Sequence, residues 1–95
     1  MRKKLMKKAR AGTLESGDVL VTIEPGDSLD IQLTSPVINQ FGEAIRRSVH
    51  EVIDSFGVTS GTITLEDQGA LECTIRARLM TAIRRSLEGE EGVSQ

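Results

Sequence analysis

The chain has no tryptophan and no tyrosine, and its only aromatic residues are Phe41 and Phe56. Its core must therefore come from leucine, isoleucine and valine, within a hydrophobic share of 38%. The same scarcity argues against a single-stranded nucleic-acid platform, which stacks bases on aromatic rings. A single cysteine, Cys73, excludes an internal disulfide, and a single histidine, His50, leaves no local metal-ligand spacing. No apolar run is long enough to span a membrane. The opening "MRKKLMKKARAG" starts like a secretory signal but lacks the apolar stretch that would follow. A reducing compartment, the cytoplasm, is the expectation, with no metal, nucleic acid or membrane as partner.

At 95 residues the chain makes one small domain. Its net charge of −2 conceals an asymmetry. Residues 1–10 hold six of the twelve basic residues and no acid, and no lysine occurs beyond Lys8. Residues 11–95 hold the other six and all fourteen acids, so 6 − 14 gives −8. Residues 1–10 are expected to form a basic flexible extension, 11–87 the folded domain and 88–95, "EGEEGVSQ", a flexible acidic tail. The basic extension suits RNA, an anionic lipid surface or an acidic partner; as a chain end it reads as solvated.

Between the ends the periodicity is clear. In "DVLVTIE", Val19, Val21 and Ile23 alternate with Leu20, Thr22 and Glu24, which predicts a strand with one buried face. "PGDS" is a turn by composition. In "LDIQLT", Leu29, Ile31 and Leu33 alternate with polar residues, and the short connection predicts an antiparallel hairpin. Ser35 and Pro36 then open a helix as N-cap and first helical residue. Val37, Phe41, Ala44, Ile45, Val49, Val52, Ile53 and Phe56 fall on one side of it, and His50 falls on the polar side. Gly57 follows as a left-handed C-cap. "TITLE" predicts a third strand. A second helix follows over "EDQGALECTIRARLMTAIRRSL", with Asp67 as its cap and Leu71, Ile75, Leu79, Ala82 and Ile83 as its apolar stripe; whether Gly69 belongs to the helix or to a preceding turn is open. The order β-β-α-β-α is that of an α+β fold, a small, largely antiparallel sheet with two helices packed on one face.

Little here looks like a catalyst. Cys73 lies within the second helix among small and apolar neighbours and is expected to pack there. Glu66-Asp67 and Glu90-Glu91 suit a cap and a solvated tail. No glycine-rich phosphate loop precedes a helix. Two serines draw notice. Asp27-Ser28-Leu29 matches the Asp-Ser-Leu motif of ordinary acyl carrier proteins, whose serine opens a helix in an all-helical bundle. Here Pro25-Gly26 precede Ser28 and a period-two strand follows it, so Ser28 reads as a turn serine. Ser16 stands between Glu15 and Gly17 just before the first strand, on a glycine-flanked segment where another enzyme could enclose its hydroxyl. Ser-Gly-Asp is also ordinary turn chemistry.

The segment "AGTLESGDVLVTI" resembles the opening of the citrate lyase acyl carrier protein (gamma chain) family, and "QFGEAI" and "DQGALECTIRARL" resemble the same family in the same order. The likeness runs from Ala11 to about Leu87 and leaves the lysine-rich start and the acidic end outside it. It implies that Ser16 carries a phosphoribosyl-dephospho-coenzyme A group through a phosphodiester. The arm's thiol would hold acetyl and citryl thioesters while citrate is cleaved to acetate and oxaloacetate. The transferase (alpha) and lyase (beta) subunits would supply the active sites. A prosthetic-group transferase and an acetyl-loading ligase would be further partners. The chain itself would be a non-catalytic carrier.

Arg46 and Arg47 on the first helix, and Arg78 and Arg85 on the second, are candidates to contact those subunits or the nucleotide end of the arm. Glu15 and Asp18 would repel a phosphodiester on Ser16, which argues that cations for the arm come from the partners. The carrier of a related malonate decarboxylase is the nearest alternative, and a small interaction module using the basic extension is another.

Overall fold

A computed structural model describes residues 3–87. Its centre is β5 (Val58–Asp67), the longest strand, which buries alternate residues along most of its length. On one edge of β5 runs β3 (Val19–Glu24), antiparallel, with Val21 opposite Leu65 and Ile23 opposite Ile63. β4 (Leu29–Thr34) also pairs with β5, in parallel, with Ile31 opposite Ile63 and Leu33 opposite Leu65. β2 (Ala9–Ala11) lies antiparallel on β3, and the short β1 (Lys3–Lys4) runs parallel to the start of β5. The α+β fold is therefore built on a mixed sheet.

The expected β3–β4 hairpin does not form, because β5 stands between its two strands. The four-residue link Pro25–Ser28 does not require the two strands to be neighbours. The five residue steps from Glu24 to Leu29 reach roughly 16 Å, and two strand spacings need only about 10 Å. By lying between them, β5 satisfies its backbone groups on both edges.

The two helices are α1 (Ile38–Phe56) and α2 (Glu72–Leu87). They share one core with the sheet, in which Val19, Val21, Ile23, Ile63 and Leu65 meet Val49, Ile53, Leu79 and Ile83. Gly57 caps α1 with φ 72°, as its position predicts. The start of α1 differs from expectation. Val37, not Ser35, is the N-cap, and it makes no side-chain cap. Ser35 instead accepts the Val37 N–H at 3.2 Å and donates to Asp67 Oδ2 at 2.7 Å, which ties the entry of α1 to the end of β5. Asp67 in turn does not cap α2. It ends β5, only 2% exposed, and its Oδ1 accepts the Ala70 N–H at 2.8 Å. Gly69 belongs to that turn.

Two residues read as core are at the surface: Phe41 is 57% exposed and Leu71 71%. Both line a groove of about 250 Å³ between the first turns of the helices, together with Val37, Ala44, Ile45 and Ile75. Helical periodicity gives the side a residue faces, not how far the neighbouring helix reaches over it. Cys73, expected to pack, is exposed on α2.

Within the described residues the basic start, 3–10, packs against the fold, where a flexible extension was expected. Leu5 is 3% exposed and belongs to the core, so one apolar residue anchors a run of lysines. Ser86, fully buried, donates its hydroxyl to the Lys7 carbonyl at 2.8 Å and accepts the Lys7 N–H at 3.4 Å. Arg85 donates to the Arg10 carbonyl at 2.7 Å. The tail expected over 88–95 lies outside the described residues.

Candidate functional site: the Ser16 turn

Between β2 and β3 the chain makes a tight turn from Glu15 to Asp18, closed by the Asp18 N–H on the Glu15 carbonyl at 3.0 Å. Ser16 and Gly17 are its two central residues, and both are exposed. Gly17 has φ 84°, the positive value that the third position of a type II turn requires. A Cβ at Gly17 would meet nothing within 4 Å, so the space beside the Ser16 backbone is open.

The turn is tied down at several points. Gly17 N–H donates to the Gln68 carbonyl at 2.7 Å, and Gln68 N–H donates to the Asp18 carbonyl at 2.9 Å, which joins the turn to the end of β5. Asp18 is the hub. Its carboxylate accepts the Val19 N–H and the Thr13 hydroxyl, each at 2.8 Å, and both Nε and Nη2 of Arg78, at 3.0 and 3.1 Å. Thr13 Oγ1 in turn accepts the Glu15 N–H at 3.1 Å. The Arg78 fork, then the Val19 amide and the Thr13 hydroxyl, hold the Asp18 carboxyl well below its ordinary 3.8, at about 2.

Gly12 completes the base of the loop. With φ 92° it passes so close to β3 that a Cβ there would lie 1.8 Å from the Val19 carbonyl oxygen and 3.3 Å from Arg78 Cδ. The glycines flanking Ser16 thus serve close approach and a positive φ, where the sequence suggested looseness. The hydroxyl is presented on an anchored turn.

Of the four candidate arginines, the structure brings Arg78 to this turn, where it pairs with Asp18. Arg85 is engaged with the Arg10 carbonyl. Arg46 and Arg47 are exposed on α1, and Arg47 acts on Glu72. Ser28 is exposed in the bend before β4, and its carbonyl accepts the Gly61 N–H at 3.1 Å. Gly61 lies within β5 and Gln68 just past its end, seven residues on, so the two serines stand roughly 23 Å apart along the sheet. His50 is exposed on α1. Among the described residues no group of three or more His, Cys, Asp or Glu side chains could hold a metal ion, and no helix is long and apolar enough to cross a membrane.

A second polar network was not anticipated. Glu72 accepts the hydroxyl of buried Ser48 at 2.7 Å and pairs with Arg76, which also pairs with Glu51. The Ser48 hydroxyl, then Arg76, lower the Glu72 pKa, and Glu51 raises that of Arg76. The i,i+4 spacing of Glu72 and Arg76 was a visible signal. The links to α1 had none.

Residues 6–86 match the family model described as the malonate decarboxylase delta subunit, an acyl carrier family. The chain is 52% identical over 86 residues to the citrate lyase acyl carrier protein of Albidiferax ferrireducens, covering 88% of each. It is 48% identical over 85 residues to the citrate lyase acyl carrier protein of Haemophilus influenzae (strain PittEE), covering 90% of each. It is also similar to a chain in a crystal structure of a Pseudomonas malonate decarboxylase hetero-tetramer in complex with malonate, with a TM-score of 0.78, 26% identity and 88% of both chains covered. An acyl carrier subunit is not itself a catalyst; it holds acyl groups on a covalently attached prosthetic group. On the strength of these matches, the chain belongs to the citrate lyase acyl carrier protein family.

Proposed function

We propose that this chain is the acyl carrier subunit of citrate lyase and that Ser16 bears its prosthetic group, a phosphoribosyl-dephospho-coenzyme A joined through a phosphodiester. The observation that carries the reading is the Ser16 turn itself. Its serine is exposed, the space beside it is open, and its backbone is anchored to β5 and α2.

The residues present suit a phosphodiester. Asp18, the acid nearest Ser16 on the C-terminal side, is already matched by the two-pronged contact of Arg78, which lessens the repulsion that its charge would exert. Glu15 stays exposed. The group would supply a thiol that carries acyl groups as thioesters. The chain's own part is to fix the root of that tether and keep it at high effective concentration near its partners. Cys73 stands on α2, away from the turn residues in sequence, and is not needed as the acyl-bearing thiol.

The partners under this reading are the alpha transferase and beta lyase subunits, with a prosthetic-group transferase and an acetyl-loading ligase acting on the carrier. Arg46 and Arg47, exposed on α1, are available to such partners. The location is the cytoplasm. The malonate decarboxylase reading draws on the family model and the structural neighbour at 26% identity. The 52% and 48% identities to citrate lyase carriers favour citrate lyase.

Co-expression with the modifying enzymes, followed by intact-mass measurement, tests the reading. A single adduct is expected on the wild-type chain and on Ser28→Ala, and none on Ser16→Ala. An adduct that persists in Ser16→Ala would overturn it. Restoration of citrate cleavage, but not malonate decarboxylation, by the modified chain separates the two lyase assignments.

A further inference from the structure

The geometry points to Arg78 as a positioning residue for the modification of Ser16: through Asp18 it presets the turn that a modifying enzyme must engage. The inference rests on the reading of Ser16 as the attachment point and goes beyond it, to what makes that serine a substrate.

Three observations converge. Arg78 reaches out from α2, remote in sequence, to grip both carboxylate oxygens of Asp18 at 3.0 and 3.1 Å. The same carboxylate holds Thr13 and the Val19 amide, and Thr13 holds the Glu15 amide, so both ends of the turn hang on one group. Gly12 lets the Arg78 side chain and β3 come together, since a Cβ there would be 3.3 Å from Arg78 Cδ. The Asp18 side chain is 14% exposed and that of Arg78 44%, so the pair sits at the edge of solvent. A pair so placed adds little to global stability, but it sets the local geometry of the turn whose exposed serine a modifying enzyme must reach.

In the reaction an Oγ–P bond forms on Ser16 while a phosphoanhydride bond of the activated donor breaks. The hydroxyl proton passes to a base of the modifying enzyme, and the phosphate-bearing leaving group departs with the bonding electrons. Such a step is sensitive to small misplacement of the attacking oxygen. A turn already in one conformation spares the modifying enzyme the cost of ordering it. By occupying Asp18, Arg78 also lessens the repulsion of an anionic donor.

The test uses the full chain and purified modifying enzyme, with the rate of adduct formation at Ser16 read by intact mass and peptide mapping. Amide exchange at Gly17 and Asp18 is followed in parallel. Arg78→Ala is expected to slow modification about tenfold and to speed exchange at both amides. Arg78→Lys, which keeps the charge but loses the fork, should recover part of the rate. Asp18→Asn combined with Arg78→Ala should be no slower than the slower single variant, because the two residues act as one unit. Arg76→Ala, which breaks the ion pairs to Glu51 and Glu72 on the same helix, is the control and should be modified at the wild-type rate. Wild-type modification of Arg78→Ala, or equal slowing in Arg76→Ala, would overturn this inference while leaving Ser16 as the attachment point. A wild-type chain with no adduct on Ser16 would overturn the function proposed above, and this inference with it.

Discussion

Arg78 meets Asp18 with two nitrogens of its guanidinium, Nε on Oδ1 at 3.0 Å and Nη2 on Oδ2 at 3.1 Å, across 60 residues of sequence. The contact links α2 to the turn that presents Ser16. It also gives Asp18 a titration that can be observed. Its pKa is lowered in the folded chain, so the pair stabilises the fold above the ordinary carboxyl value. That contribution fades as pH falls from 3.8 through about 2. Carboxyl titration by NMR should place Asp18 at about 2 in the wild-type chain and nearer 3.8 in Arg78→Ala. An Asp18 that titrates at its ordinary value with Arg78 intact would contradict the contact.

Gly12 and Gly17 share a positive φ but not a setting, and substitution should separate them. Alanine at Gly12 must displace the Val19 carbonyl, 1.8 Å from the new Cβ, whereas alanine at Gly17 meets open space. Gly17→Ala should cost about 1 kcal/mol for its backbone conformation alone. Gly12→Ala should cost more, roughly 2–4 kcal/mol, because strain in the chain is added to the same conformational penalty. Urea unfolding of both variants checks the order. Equal midpoints would show that Gly12 does not approach β3 as closely as the structure has it.

Leu71 and Leu79 lie two turns apart on the stripe that the sequence assigns to the core. Leu79 is 0% exposed and Leu71 71%. Leu79→Ala should lose about 2–5 kcal/mol of stability, and Leu71→Ala should stay within about 0.5 kcal/mol of the wild type. Thermal melts of the two variants decide it. A large loss at Leu71 would mean that the residue leading into α2 is buried in solution.

Ser86 tests whether the basic start belongs to the domain. Its hydroxyl is the buried partner of both polar groups of the Lys7 backbone. Ser86→Ala leaves the Lys7 carbonyl without that partner and should cost about 1–3 kcal/mol. It should also speed amide exchange at Leu5, whose N–H is held by the Ser60 carbonyl at 3.2 Å. Unchanged exchange at Leu5 would separate the first strand from the Ser86 contact.

What could be read from the sequence follows a physical divide. Period-two alternation marked Val19–Glu24 and Leu29–Thr34, and helical periodicity marked both helices, because these patterns are local. Strand order is not local. A short link between two strands suggested a hairpin, and only the later arrival of β5 decides that each pairs with it. Leu5 was hidden among lysines, since one apolar residue makes no pattern. At the site, Ser16 stood out through its neighbours Glu15 and Gly17 and through family resemblance. Arg78 was picked out only as a candidate contact for the partner subunits or the arm, not as a partner of Asp18. Its engagement of Asp18 joins two distant segments that no spacing rule connects, and the tie of Gly17 to Gln68 was invisible for the same reason.

Ser16 is the crux, and the most direct measurement is the mass and attachment site of the group on this chain isolated from its working complex. One phosphodiester-linked phosphoribosyl-dephospho-coenzyme A is expected on the peptide containing Ser16, and no other modified residue. An active complex whose carrier chain is unmodified, or modified at Ser28 or Cys73 alone, would contradict it.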